Sequence, residues 1–414
     1  MINKYLLLFA FGLLVAVGIA GAASTTTAQD SATEKNTDYA VTPESKSITA
    51  PVSIKIDPTT INVVSASLAE FDKNLRSAFI NHMNLWVTSK KPGSYSIRWN
   101  LHAPADGIYG VSALVLSKGS HMTLTCNEQR LEFSSEQKAW ERLDLGQLQL
   151  NAGDNSLQLA VDAASGFSID SLELTQPAVK AKMRNEALAM RQHPDWFKDA
   201  GYGLMFQWTN RATPPTGPIK PWEQKVNDFD VDAFANMVQE SGAAYVVWSI
   251  TWGQQYISAP IESLDRILAG RTTKRDLLGE MADALHERGI KLIFYYHYGY
   301  DCGHSIDADW MKASGGYEAD KSQLYQNLMS ILAEIGDRYG DKLHGWWFDG
   351  GQRFYDCHFD RSSPAIGILS APFKEITQAA RTGNPKRLVS YNSWIKPRLT
   401  EYQDYYGGEG HTQI

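Results

Sequence analysis

The sequence predicts a multidomain protein in which an all-β sandwich precedes a β/α-barrel. Two observations predict this order. Residues 51–176 consist of short runs that alternate apolar and polar residues between turns rich in Gly, Pro, Asn and Asp, which is typical of antiparallel strands. From residue 195 onward, apolar strand-like runs alternate with amphipathic helical stretches, which is typical of β/α units around a parallel sheet. The apolar content of 43% suits an ordinary globular protein.

Residues 1–22 have the features of a cleavable export signal. A short positively charged start leads into an apolar run, and Ala20 and Ala22 form a small-x-small cleavage pattern. An uncleaved anchor helix is the alternative, because residues 5–22 are long enough to span a bilayer. We favour cleavage, since the small residues stand where a signal peptidase requires them. The mature protein is then expected to be periplasmic or secreted, with no attachment to the membrane.

Residues 23–50 are predicted to be a disordered linker, because they are rich in Ser, Thr, Lys and Glu and contain no aromatic cluster. The sandwich is predicted for residues 51–176. The end of this region, at residues 140–146, 150–157 and 166–174, resembles the end of jelly-roll carbohydrate-binding modules. That resemblance implies a sugar-stacking aromatic residue on a loop. Three tryptophans are candidates either for this role or for the core, and they are Trp86, Trp99 and Trp140.

Residues 177–194 are predicted to be a polar, helical connector, and residues 195–414 to be the barrel. The predicted strands are residues 203–207, 244–250, 291–297, 344–349, 387–392 and 402–406. The predicted helices are residues 231–241, 274–288, 321–339 and 373–381. Six β/α units in 220 residues fall short of the eight units and roughly 250 residues of a TIM barrel. Either the sequence is a fragment or the barrel is incomplete at its C-terminus.

The residues at the strand ends carry the functional prediction, because the active sites of such barrels lie at the C-terminal ends of their strands. The fourth predicted strand ends in Asp349, which follows apolar residues and precedes two glycines that leave room for a ligand. Aromatic residues concentrate in the same half of the chain, where nine of the twelve tryptophans lie at or after Trp196. Flat rings beside a polar group suit the apolar faces and hydroxyl edges of a sugar.

Four stretches resemble the motifs of the α-L-fucosidase family of glycoside hydrolases. Residues 196–208 are similar to its opening "WFrdAkFGiFiHWG", and residues 274–296 to its "krDlvkela…rGiklglYyS". Residues 346–350, Trp-Trp-Phe-Asp-Gly, resemble the "lWfDg" strand that carries the nucleophile. Residues 404–409 resemble the "gDyxtPE" stretch, where many members hold the acid/base glutamate. The resemblance implies a retaining glycosidase with Asp349 as nucleophile and Glu409 as acid/base.

The sequence also departs from the family. Gln207 stands where the family has a sugar-binding histidine, and residues 251–256, Thr-Trp-Gly-Gln-Gln-Tyr, replace its His-His-Asp-Gly-Phe. Fucose recognition through those histidines is therefore absent. Two hypotheses remain, of which the first is a retaining glycosidase that acts on an α-L-fucoside or another deoxy or uronic sugar. The second is an inactive barrel that serves as an exported carbohydrate-binding protein.

Each catalytic candidate has a structural alternative. Asp349 could instead cap a turn, and Glu409 could be an exposed loop acid. Other acids could replace Glu409 as proton donor, and they are Glu262, Asp301 and Glu401. The sugar-binding candidates are Gln207, Trp208, Trp222, Trp252, Tyr256, His297 and Trp347.

Composition and spacing exclude several other functions. The formal net charge of −7 and the lack of a long basic run argue against nucleic-acid binding. The histidines are scattered without the spacing of metal ligands, and the glycine-rich stretches lack the Lys-Ser/Thr of a phosphate-binding loop. We therefore predict no metal and no cofactor, and a glycan or polysaccharide as partner. The oligomeric state is not specified by the sequence.

The three cysteines give one further prediction. Cys302 and Cys357 follow the third and fourth predicted strands by a few residues, and neighbouring strands of a barrel lie about 4.8 Å apart. We predict a disulfide between them that joins two active-site loops, with two reduced thiols as the alternative. Cys126 belongs to the sandwich and is predicted to be a buried free thiol.

Overall fold

The computed structural model describes residues 53–78, 86–117, 119–135, 139–299, 307–318, 321–350, 371–394 and 397–408. The predicted signal peptide and linker lie outside these residues. Twelve strands form in the N-terminal half. They are β1 (Ser53–Lys55), β2 (Asn62–Ser65), β3 (Glu70–Phe71), β4 (Arg76–Ala78), β5 (Trp86–Ser89), β6 (Gly93–Ala103), β7 (Gly107–Ser117), β8 (Ser120–Cys126), β9 (Gln129–Ser135), β10 (Glu141–Leu150), β11 (Gly153–Ala163) and β12 (Phe167–Thr175).

These strands form two sheets of six strands each. One has the order β1-β6-β11-β8-β9, with β3 also on β6, and the other has the order β10-β7-β12-β5-β4, with β2 on β12. The pairing is antiparallel except between β1 and β6. Strands β6 and β11 alternate buried and more exposed residues, whereas β7 and β12 are buried along most of their length. The buried residues of both sheets contribute to one apolar cluster. The predicted pattern of two sheets around a shared core is therefore present.

The three tryptophans of this half are core residues. Trp99 is fully buried, and its indole Nε1 donates a hydrogen bond to the Ser65 carbonyl at 2.9 Å. Trp86 and Trp140 are also buried and pack edge to face, with 5.4 Å between ring centroids. None of the three is exposed as a sugar platform. Cys126 is free and buried, as predicted, and burial raises the pKa of its thiol.

The second half alternates helices and parallel strands. Its strands are β13 (Gly203–Phe206), β14 (Tyr245–Ser249), β15 (Lys291–His297), β16 (Leu343–Asp349), β17 (Leu388–Trp394) and β18 (Gly407–Gly408). Its helices are α1 (Pro177–Met190), α2 (Asp195–Asp199), α3 (Trp222–Asn227), α4 (Val231–Ser241), α5 (Glu262–Ile267), α6 (Leu277–Glu287), α7 (Ala308–Ser314), α8 (Ser322–Tyr339) and α9 (Phe373–Ala380). Across the ranges that the structure describes, no helix has the length and apolar character needed to cross a membrane.

The six strands pair in chain order, from β13 to β18, and every pair is parallel. A doubly wound sheet would reverse its strand order at a switch point, whereas a barrel adds each new strand beside the last. The sheet is thus a curled half-barrel. One face packs against the amphipathic helices in a large apolar cluster, and the other face carries a smaller cluster that includes Phe197 of α2 and Tyr245 of β14.

Local sequence explains where the main helices begin and end. The side chains of Asp230 and Asp276 cap α4 and α6 by accepting hydrogen bonds from the amides of Ala233 and Gly279, at 2.9 and 2.8 Å. Gly242 then ends α4 in the left-handed conformation, at φ 78°. Because these signals are local, the predicted bounds of both helices agree closely with the observed ones.

The sixth predicted strand was placed wrongly. Residues 402–406 do not form it: the Asp404 amide donates to the Val389 carbonyl at 2.8 Å, but regular pairing with β17 begins at Gly407. The cause is Asp404, whose carboxylate is buried against Arg381 and accepts the Val389 amide at 2.7 Å. A side chain therefore occupies a backbone donor of β17 that a regular strand would use.

His344, near the start of β16, is expected to make the stability of the fold depend on pH. Its Nδ1 accepts the Leu292 amide at 3.3 Å, and burial, with Lys291 nearby, lowers the pKa of the imidazole to about 4. The unfolded chain, with a histidine pKa of about 6.5, takes up a proton at higher pH than the folded chain does. The free energy of unfolding should therefore fall, by on the order of 2 kcal/mol, as the pH drops from 6.5 to 4.

Chemical denaturation of the His344→Asn variant across this pH range checks the expectation. Asn keeps an acceptor for the Leu292 amide but does not titrate. The fall in the free energy of unfolding between pH 6.5 and 4 should therefore be smaller in the variant, by most of the loss expected for His344. The matched control is His121→Asn, the same substitution at an exposed position of β8. An identical drop in wild type and His344→Asn would contradict the assignment.

Candidate functional site

The candidate site lies at the C-terminal ends of β15, β16 and β17. Asp349 is the last residue of β16, and its register partner on β15 is His297, the last residue of that strand. Two residues earlier on the same strands, Tyr295 pairs with Trp347. Because residues two apart in a strand point to the same face, these four side chains share one face of the sheet.

The carboxylate of Asp349 is held from several directions. The Tyr295 hydroxyl donates to Oδ2 at 2.5 Å, and the Asn392 amide of β17 donates to Oδ1 at 3.1 Å. The backbone amide of Gly350 also donates to Oδ1, at 3.1 Å. Asp349 is 8% exposed. The arrangement fixes the orientation of a buried acidic group at the strand end.

An aromatic wall stands beside this carboxylate. Trp252, in the loop after β14, stacks on Tyr295 with an interplanar angle of 13° and on His297 with 5.0 Å between ring centroids. Trp347 packs on the other side of Tyr295, with 5.0 Å between centroids. His297 is buried, and its Nδ1 accepts the Gly299 amide at 3.1 Å, so this nitrogen carries no proton. Tyr295 and His297 are fully buried, whereas Trp252 and Trp347 remain partly exposed, and the flat rings of these two suit the apolar face of a sugar.

A second aromatic group surrounds the loops after β13 and β14. Trp208 packs on Trp222 at 5.2 Å, and Trp222 meets Tyr256 edge to face at 6.4 Å. The guanidinium of Arg271 lies over the Tyr256 ring at 4.6 Å and pairs with Asp307 at 3.1 Å. Trp208 and Trp222 are partly buried against the main apolar cluster. Three of the predicted sugar-binding residues, Trp208, Trp222 and Tyr256, thus belong to a packed group separate from the wall around Asp349.

The remaining predicted residues are placed as follows. Gln207, which follows β13, has an exposed side chain. Glu262 begins α5 with an exposed side chain near Arg266, and Glu401 is bonded by Arg398 at 2.6 Å. Neither acid contacts Asp349. Four predicted residues lie outside the described residues, and they are Glu409, Asp301, Cys302 and Cys357.

No group of three or more His, Cys, Asp or Glu side chains within the described ranges is arranged to hold a metal ion. Burial raises the pKa of Tyr296, Tyr298 and Tyr391, which belong to the main apolar cluster, well above the usual range. The side-chain donors to Asp349 itself are the Tyr295 hydroxyl and the Asn392 amide. The chemistry that such a site supports is attack by a carboxylate or recognition of hydroxyl groups.

Sequence reasoning did not identify Tyr295 and Asn392 as site residues. By the two-residue alternation of a strand, both point to the face of the sheet that carries Asp349. Tyr295 lies two positions before His297 on β15, and Asn392 lies four positions after Leu388 on β17. That alternation was a usable signal for Tyr295. For Asn392 it was not sufficient, because the pairing of β17 with β16 decides which residue comes level with Asp349.

The fold and the site define a parallel β/α half-barrel whose central strand ends in a hydrogen-bonded aspartate. A family model described as Alpha-L-fucosidase matches residues 222–406, a little under half of the chain. The matched region includes β14 to β17 and Asp349. No curated protein matches the chain.

Solved structures are similar to parts of the chain. The alpha-L-fucosidase AlfC from Lactobacillus casei in complex with its α-L-fucose product has 18% identity and a TM-score of 0.34, covering 48% of this chain and 70% of that one. The endo-fucoidan hydrolase MfFcnA4 has 16% identity and a TM-score of 0.36, covering 54% and 36%. A family 35 carbohydrate-binding module from Clostridium thermocellum has 21% identity and a TM-score of 0.24, covering 28% and 97%.

Proposed function

We propose that the protein is a retaining glycoside hydrolase related to the α-L-fucosidases, with Asp349 as its nucleophile. The observation that carries the proposal is the placement of Asp349. It ends the central strand of a parallel sheet, is oriented by Tyr295 and Asn392, and lies inside the region that the Alpha-L-fucosidase family model matches. The substrate is an α-L-fucoside or a glycan of another deoxy or uronic sugar.

In this mechanism a carboxylate oxygen of Asp349 attacks the anomeric carbon of the sugar. The bond to the leaving-group oxygen breaks, and a carboxylic acid about 5–5.5 Å from Asp349 protonates that oxygen. Water then hydrolyses the glycosyl-aspartate with the second group acting as base. We assign the acid/base role to Glu409, which follows Gly408 in the chain. This assignment is supported by the pairing of Gly407 with Asn392, which donates a hydrogen bond to Asp349.

We also propose a role for each half of the chain. Residues 51–176 are a jelly-roll carbohydrate-binding module that brings the enzyme to its glycan, and residues 195–414 are the catalytic region of a TIM-type barrel. The small-x-small pattern at Ala20 and Ala22 supports export to the periplasm or the medium. N-terminal sequencing of protein recovered from the host's periplasm and medium tests this export.

A panel of aryl glycosides tests the function. Aryl α-L-fucoside and aryl glycosides of other deoxy and uronic sugars are incubated with wild type and with Asp349→Asn, and product is measured together with its anomeric configuration by NMR. Turnover with retention in wild type, lost in the variant, supports the proposal. Turnover with inversion, or equal turnover by both proteins, refutes it.

An inactive carbohydrate-binding barrel is the second candidate. The observation that favours it is the replacement of the family's histidines, since Gln207 is exposed and Trp252 and Gly253 occupy the loop after β14. The partly exposed ring of Trp252, backed by Tyr295 and His297, would then bind a sugar without cleaving it. Binding on a glycan array, with no turnover of any panel substrate, would select this candidate.

A further inference from the structure

We propose that Gln255 is a positioning residue that holds the aromatic wall in place beside Asp349. This inference rests on the proposed function, because the wall matters only if Asp349 acts on a sugar. Gln255 touches neither Asp349 nor the open side of the wall. Its side chain is fully buried behind the loop that carries Trp252.

The side-chain amide of Gln255 joins the loop after β14 to the end of β15. Its Nε2 donates to the Trp252 carbonyl at 2.8 Å and to the His297 carbonyl at 2.7 Å. Its Oε1 accepts the hydroxyl of the buried Tyr296 at 2.8 Å. Both amide hydrogens and the oxygen are therefore used. A single planar group fixes the distance between the two residues whose rings stack, Trp252 and His297.

The backbone of Gln255 supports the same interpretation. Its φ is +55°, in the left-handed region that residues other than glycine rarely adopt. Such a conformation persists only where surrounding contacts hold it, and it is concentrated at functional sites. Here the three side-chain bonds hold it, together with the turn bond from the Gln255 amide to the Trp252 carbonyl at 2.9 Å.

Nearby packing leaves this clamp little freedom. A Cβ at Gly299 would lie 2.8 Å from Gln255 Nε2 and 2.4 Å from Trp310 Nε1, so glycine is required there. Thr251 adds a parallel link, since its hydroxyl donates to the His297 carbonyl at 3.0 Å and accepts the His297 amide at 2.9 Å. These bonds join the loop after β14 to the end of β15 and thereby set the position of Trp252 beside His297.

Gln255→Glu tests the inference, because the carboxylate keeps the shape of the amide but loses both donors. We expect kcat/KM to fall at least tenfold, mainly through KM, at a temperature well below melting where all of the protein is folded. The matched control is Asn155→Asp in the sandwich, where the buried amide also donates to two carbonyls, those of Asn151 and Gly153. That variant should lose stability but keep kcat/KM.

A double-mutant cycle with Trp252→Ala separates positioning from general damage. If Gln255 acts through Trp252, the double variant should be about as active as Trp252→Ala alone. If the fold-losses in kcat/KM of the two single variants multiply in the double variant, the inference is overturned. Gln255→Gly serves if the glutamate variant does not fold, since it relieves the backbone conformation while removing the clamp, and the same loss of kcat/KM is expected.

A readout without turnover completes the test. In protein labelled with 5-fluorotryptophan, the Trp252 resonance is identified by its absence in Trp252→Phe. It should shift or broaden in Gln255→Glu and stay in place in Asn155→Asp. An unmoved resonance overturns the positioning role whatever the activity. If Asp349→Asn is inactive but Gln255→Glu keeps the wild-type kcat/KM, the positioning role of Gln255 is overturned as well. If Asp349→Asn is fully active, the proposed function itself is overturned.

Discussion

Asp349→Asn is expected to lower kcat/KM by about 10⁴-fold, equivalent to roughly 5 kcal/mol of transition-state stabilisation. The amide has the size of the carboxylate, and its oxygen can still accept from Asn392 and Gly350 while its NH2 group donates to the Tyr295 hydroxyl oxygen, so the site should keep its shape. What it loses is the negative oxygen that bonds to the anomeric carbon. Steady-state kinetics on the best substrate of the panel measures the loss. The matched control is Asp309→Asn, an acid whose side chain is 82% exposed, which should keep wild-type activity.

Chemical rescue separates the two carboxylate roles. With an activated aryl glycoside, azide should restore turnover to Asp349→Gly by attacking the anomeric carbon in place of the carboxylate, giving a glycosyl azide of inverted configuration. In Glu409→Gly, azide should attack the glycosyl-aspartate and give a product of retained configuration. Rescue of Asp349→Gly with retention would assign the nucleophile to another residue. Wild-type rates in Glu409→Gly on a substrate with a poor leaving group would remove Glu409 as the acid.

Arg387→Met is expected to lower the free energy of unfolding by about 4 kcal/mol. Arg387 precedes β17, is fully buried, and donates all five of its hydrogens to backbone carbonyls. Its acceptors are Leu343, Ala380, Thr382, Gly336 and Gly340, which lie at the C-terminal ends of α8 and α9 and at the start of β16. Methionine fits the apolar surroundings but leaves these carbonyls buried without a donor.

Urea denaturation at neutral pH measures the effect. Burial lowers the pKa of Arg387 to about 10, so the group remains charged throughout the neutral range. Arg387→Lys, with three donors in place of five, should lose less stability than Arg387→Met. Arg266→Met is the control, because Arg266 is 69% exposed and pairs with Glu262 along the helix surface, so its loss should cost less than 1 kcal/mol. Equal losses in Arg387→Met and Arg266→Met would contradict the role.

Local sequence patterns were sufficient for the order and type of the elements. The helices α4 and α6 have aspartate caps and an apolar stripe, and both signals act within a few residues. The strands that end in His297 and Asp349 are continuous apolar runs, as expected of parallel strands buried on both faces. The two-sheet N-terminal half likewise follows from alternation along its strands.

The position of Asp349 at a strand end could also be predicted, because an apolar run leads to it and a glycine follows. The residues that bond to Asp349 could not be predicted in this way. Tyr295 and Asn392 meet Asp349 only through the register of three strands that are more than 40 residues apart along the chain. Whether Trp86 and Trp140 were core or platform was likewise undetermined until both sheets were in place.

By itself, then, the sequence determined what depends on near neighbours: the parallel β/α rhythm, the helix ends, and the acid at the tip of the central strand. The tertiary structure alone decided what depends on burial and on long-range pairing. Arg387 and Gln255 carry polar side chains that, from the sequence, would be expected in contact with water, yet both are fully buried. The physical reason is that carbonyls at helix ends and in a loop need donors once water is excluded, and only the folded chain brings those carbonyls around one side chain.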